Sequence, residues 1–92
     1  MDDTPVSFLG RTLPPGTRVR TVILLPAQAV DYRPEDWADT LVVVERGTLE
    51  LECSRGVRAR FGSGSVLTLV AVEPRRLLNS GSTPLVLKAL TR

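Results

Sequence analysis

Between residues 48 and 61 the sequence alternates twice about one short break. Leu49, Leu51 and Cys53 fall on one parity and Glu50 and Glu52 on the other; beyond the break, Ala59 opposes Arg58 and Arg60 in the same way. A period of two means strands with one apolar and one charged face. The break length is testable by register. A two-residue loop at Arg55-Gly56 sets Glu52 opposite Ala59 and Leu51 opposite Arg60, which mixes the faces. A three-residue loop at residues 54–56 pairs Glu52 with Arg58, Glu50 with Arg60, Leu51 with Ala59 and Leu49 with Phe61. Every charge then meets its opposite, so the three-residue loop is expected, with Gly56 at its left-handed position.

The rest of the chain follows the same style. Residues 18–25 are β-branched and apolar and end at Pro26; residues 30–33 read as a second strand closed by Pro34. Residues 35–39 read as a polar loop or a single helical turn. Residues 40–45, Thr-Leu-Val-Val-Val-Glu, are a buried-type strand ending in the Arg46-Gly47 turn. Further strands are expected at 66–70, 76–79 and 84–90, with a connection broken by Pro74. Residues 1–17 carry Pro5, Gly10, Pro14, Pro15 and Gly16 and read as an irregular arm, with one short strand around residues 6–9. Nowhere does a segment long enough for a regular helix show helical period. Roughly seven to nine short strands, with turn signals about every 6–12 residues, point to an all-β sandwich or small barrel.

Composition sets the outer limits. With 92 residues there is material for one domain, residues 18–92, and the arm. A chain this short buries roughly 60–65% of its unfolded surface, which makes self-association a reasonable expectation. The chain has no histidine and one cysteine. Imidazole ligation, imidazole acid–base chemistry and an intramolecular disulfide are thereby excluded, and a reduced cytoplasmic setting fits. The net charge is +2, and the basic residues are scattered among four aromatics, so no nucleic-acid partner is expected. No apolar run is long enough to span a membrane, and the acidic start lacks the order of a signal peptide.

The turn spacing resembles a known family. Gly64-x5-Val70-x-Val72-x2-Arg75-x3-Asn79 has the spacing of the second cupin motif, G-x5-P-x-G-x2-H-x3-N, and residues 79–84 resemble the turn that ends it. Thr40-x6-Gly47 has the spacing of the first motif's tail, E-x6-G. Gly47, Gly64 and Asn79 match by identity. The resemblance covers residues 34–84 directly, and implies that residues 18–92 form a small cupin-type, jelly-roll-like β-barrel similar to short single-domain cupins of GC-rich bacteria. In metal-binding cupins two histidines, a glutamate and a third histidine hold the ion. Here those positions read Pro34, Asp36, Thr40 and Arg75, and a guanidinium repels a divalent cation. The resemblance therefore implies the fold without the metal: no metal and no cofactor is expected.

Several residues are candidates for a site. The alignment starts the Arg75 side chain from an inward-facing position, where it would hook an anion, stabilise an enolate, pair with Asp36 or Asp39, or snorkel out to solvent. Arg76 would face solvent. Asp36 is a candidate general base, or a solvated carboxylate. Tyr32 and Trp37 flank the same loop and would form an aromatic wall for a ligand, a barrel plug or a dimer contact. Thr40 could hydrogen-bond a ligand or simply begin a strand. Cys53 reads as a packed thiol, and Glu50, Glu52, Arg58 and Arg60 as an outer charge ladder. The glycines of residues 62–65 precede no helix, so a phosphate cradle is a weak reading.

Three functions are compatible with these residues. The first is binding of a small organic molecule, anionic if Arg75 is the hook. The second is a cofactor-free isomerase or cyclase of secondary metabolism, with Arg75 and Asp36 orienting substrate. The third is a non-catalytic module whose barrel is filled by its own side chains and whose task is homodimerisation. An interior of about eight strands admits side chains or one small ligand, which favours binding.

Overall fold

The computed structural model describes residues 7–8, 11–12 and 16–91. In the arm, β1 (Ser7–Phe8) pairs with β2 (Arg11–Thr12) as a small antiparallel ladder; the other residues up to 15 lie outside the described set. Eight strands follow: β3 (Arg18–Leu24), β4 (Ala29–Asp31), β5 (Thr40–Arg46), β6 (Leu49–Glu52), β7 (Arg58–Phe61), β8 (Val66–Leu67), β9 (Arg76–Asn79) and β10 (Leu85–Thr91). They form two four-stranded antiparallel sheets, ordered β3-β10-β5-β8 and β4-β9-β6-β7. From β3 onward every connection except the β6–β7 hairpin crosses from one sheet to the other.

The closed barrel expected from the sequence is not what forms. Among the described residues no strand ladder joins the two sheets, so the domain is an open sandwich. The flanking strands are too short to curl round and close it. Pro26 and Pro34 bracket β4, and the turn at residues 62–64 leaves β8 two residues. The interior is filled. Val42, Val44, Leu85, Leu87 and Ala89 from the first sheet meet Leu49, Leu51 and Leu77 from the second, all at most 1% exposed. Alternation accounts for this: in each strand these residues share one parity, and burying that parity on both sheets builds one core.

The hairpin has the expected register, Glu52 with Arg58 through Leu49 with Phe61. Its loop, Ser54–Gly56, places Arg55 as well as Gly56 at positive φ (62° and 73°), so the turn asks one side-chain-bearing residue to adopt a left-handed conformation.

Residues 66–70 depart from expectation. Only Val66–Leu67 is strand; the chain then turns into α2 (Leu69–Val72). A short apolar run does not distinguish a strand from a buried helical turn. Here Leu69 is fully buried, Glu73 ends the turn in the left-handed region, and Pro74 has no N–H to extend a ladder. No helix among the described residues is long and apolar enough to cross a membrane.

Candidate functional site

Pro34 begins a single helical turn, α1 (Pro34–Trp37), with its φ already set for a helix start. Trp37 is the one buried residue of that turn and closes the core at this end of the sandwich. The Arg20 guanidinium lies 4.9 Å from the indole centroid, and the same group donates a 3.0 Å hydrogen bond to the Asp36 carbonyl. Cation, ring and backbone together hold α1 against β3.

After Trp37 the chain turns sharply through Asp39, at φ 53°, and enters β5 at Thr40. Thr40 is buried. Its hydroxyl donates to the Ala38 carbonyl at 2.9 Å and lies 3.2 Å from the Thr91 hydroxyl, the residue opposite it on β10. Where β5 begins and β10 ends, a cleft of about 560 Å³ opens, with Trp37, Asp39, Thr40, Leu41, Leu90 and Thr91 on one side. Thr68, Val70 and Ala71, around the start of α2, contribute another part, and Thr17 completes it. The size and the mixture of apolar wall and hydroxyls suit a small organic ligand.

The residues singled out from the sequence separate in space. Trp37 and Thr40 share this cleft. Tyr32 is half-buried, packs against the core and does not line it. Asp36 is exposed in a neighbouring hollow of about 400 Å³, with Arg20, Asp31 and Arg33; its carboxylate lies 3.9 Å from Arg33 Nε. Arg75 does not point inward. It precedes β9 with an exposed side chain, beside Asp31, Glu52 and Arg76. Its backbone explains why: Arg75 N–H bonds the Glu52 carbonyl at 2.6 Å and its carbonyl accepts Tyr32 N–H at 2.8 Å, so the main chain fills the ladder while the side chain leaves it. Among the described residues, neither Asp36 nor Asp39 pairs with Arg75.

Arg76, by contrast, is fully engaged. It grips Glu52 through two hydrogen bonds of 3.1 and 2.9 Å. Strand register continues the row across the second sheet's outer face: Asp31, Arg76, Glu52, Arg58, alternating in sign. In the next row Glu50 accepts from Arg60 at 2.8 Å and Arg58 at 3.1 Å, and these arginines cover it until its side chain is 1% exposed. The Arg60 hydrogen bond, helped by the charge of Arg58, holds the Glu50 carboxyl below its ordinary range against the opposing effect of burial. Arg76 does the same for Glu52, and Glu52 in turn raises Arg76. Paired hairpin charges revealed half of this network; Arg76 and Asp31 required knowledge of which strands lie beside β6.

The four positions that the resemblance to cupins would assign to metal ligands do not suit an ion, since Asp36 alone among them carries a carboxylate. Thr40 commits its hydroxyl proton to Ala38, Arg75 is a permanent cation, and Pro34 offers no side-chain donor. Among the described residues no three carboxylate or cysteine side chains gather as a metal would require. Cys53 is half-buried against the core. Neither protein-family models nor curated proteins give a match to this chain.

Proposed function

We propose that this chain is a cupin-type jelly roll that holds a small organic molecule, without a metal, in the cleft between α1 and α2. The strand order supports the fold assignment, because two sheets exchanging strands at nearly every connection are what a pair of Greek keys folded together produces. The three residues that match the cupin motifs by identity also occupy structurally demanding places. Gly47 is at φ 81°, with Pro84 against it; Gly64 is at φ 92°, with its N–H on the Val44 carbonyl; and Asn79 ties the end of β9 to β3.

The observation that carries the functional reading is the cleft itself. The core is filled, so a ligand is taken at the surface, and among the hollows described above this one joins a mostly apolar wall to hydroxyls, where Trp37 and Thr40 stand. Asp36 and Arg75, which a cofactor-free isomerase or cyclase would bring to one substrate, border different hollows, so binding is the better-supported role. A homodimer and a cytoplasmic setting complete the proposal. The dimer is favoured by the exposed Ile23, Leu41 and Val66 on the first sheet's outer face.

Trp37 is the only tryptophan, so its fluorescence reports the cleft directly. Phenethyl alcohol added to chelator-treated protein should change that emission saturably. Ala71→Phe, which fills the exposed side of the cleft without entering the core, should weaken the response by about tenfold, or about 1.4 kcal/mol. Binding that needs restored metal, or that ignores Ala71→Phe, would overturn the proposal.

A further inference from the structure

We infer that the cleft selects an organic cation: an amine carried on a compact apolar body. This rests on the binding role proposed above and gives it a ligand class. Among the described residues lining the cleft, Asp39 is the only ionisable side chain; the others are threonines and apolar groups. Asp39 has no ion-pair partner among the described residues, whereas its neighbours Glu35 and Asp36 face Arg33. Among the described residues, the cations of β3 face elsewhere. Arg20 stacks on Trp37 and borders the adjoining hollow, and Arg18, opposite Thr91 in the ladder, does not line the cleft.

Backbone geometry adds to this. Asp39 adopts a left-handed conformation, which aspartate tolerates better than most residues, at the turn that delivers Thr40 into β5. An ammonium group at the rim has three donors to place. The Asp39 carboxylate and nearby threonine oxygens are acceptors for them, while Trp37 and Val70 face the apolar body. A carboxylate ligand would meet Asp39 as a like charge, with no cation among the described lining residues to offset it.

Three probes of matched shape separate the possibilities: phenethylammonium, phenethyl alcohol and phenylacetate, each titrated into the full-length protein and read by Trp37 emission. Phenethylammonium should bind about five- to tenfold more tightly than the alcohol, and phenylacetate most weakly, as expected for a charge-assisted hydrogen bond at an exposed rim. Asp39→Asn keeps a residue suited to the left-handed turn and removes the charge. It should bring ammonium and alcohol to within about twofold of each other. Equal binding of all three probes, tighter binding of phenylacetate, or an ammonium preference that survives Asp39→Asn would overturn the inference and leave the binding role standing. Failure of every probe to bind would remove the binding role and the inference together.

Discussion

Asn79 shows how much one side chain can hold together in this protein. It is 1% exposed. Its amide nitrogen donates to the Leu24 carbonyl at 2.9 Å and to the Thr83 carbonyl at 2.8 Å, while its oxygen accepts the Gly81 N–H at 3.0 Å. The end of β9, the end of β3 and the turn into β10 are thereby joined through one group. No other residue type of that length supplies two donors and an acceptor in this arrangement. Asn79→Ala should cost about 3 kcal/mol in urea denaturation, because it strands buried backbone groups rather than merely deleting contacts. Gly47 is constrained differently: a Cβ there would stand 2.9 Å from the Pro84 carbonyl oxygen, at a φ that side chains resist. Spacing drew attention to both residues. Their partners in β3 and the β9–β10 turn came from pairings that spacing does not reveal.

At the level of the element, the β6–β7 hairpin and its neighbour β9 form a charge-stitched outer face. Alternation predicted the hairpin register because a slip of one residue would place every charge against an apolar partner. Glu50 and Glu52 have carboxyls lowered in the folded state, by Arg60 and Arg76 foremost. Their contribution to stability is therefore present above the ordinary carboxylate value of 4.5 and is lost as the pH falls through the lowered folded values. The urea midpoint should be level near neutrality and decline on acidification below that range. Glu50→Gln, which cannot ionise, should flatten the decline. The β8–α2 segment went the other way: five apolar-rich residues looked like a strand, and the burial of Leu69 made the second half a helical turn.

For the molecule as a whole, the exposed apolar residues of the first sheet are the surface that the proposed homodimer would cover. On its outer face Leu41 pairs with Leu90 and Val43 with Val66, and Ile23 stands opposite Val86. Ile23, Leu41 and Val66 each remain more than 40% exposed. A small domain gains from covering such a surface. Light scattering at micromolar concentration should give twice the chain mass of 10.0 kDa, and Val66→Lys should return it to the monomer value. A monomeric native protein would remove the homodimer from the proposal.

Local period and turn chemistry were enough to establish a single β-rich domain, most of its strands and the register of its clearest hairpin, because each depends on residues close along the chain. The open sandwich and the cleft were decided in three dimensions. Trp37, Asp39 and Thr40 reach Thr68 and Val70 only after α2 folds, and reach Thr91 only because β10 lies beside β5. Arg75 left its expected inward place for the same reason, while Arg76 stayed on the outer face as expected and was drawn into the charge row there. Backbone bonds to Glu52 and Tyr32, distant in sequence, fix which side chain enters the sheet's charge row and which is left outside it.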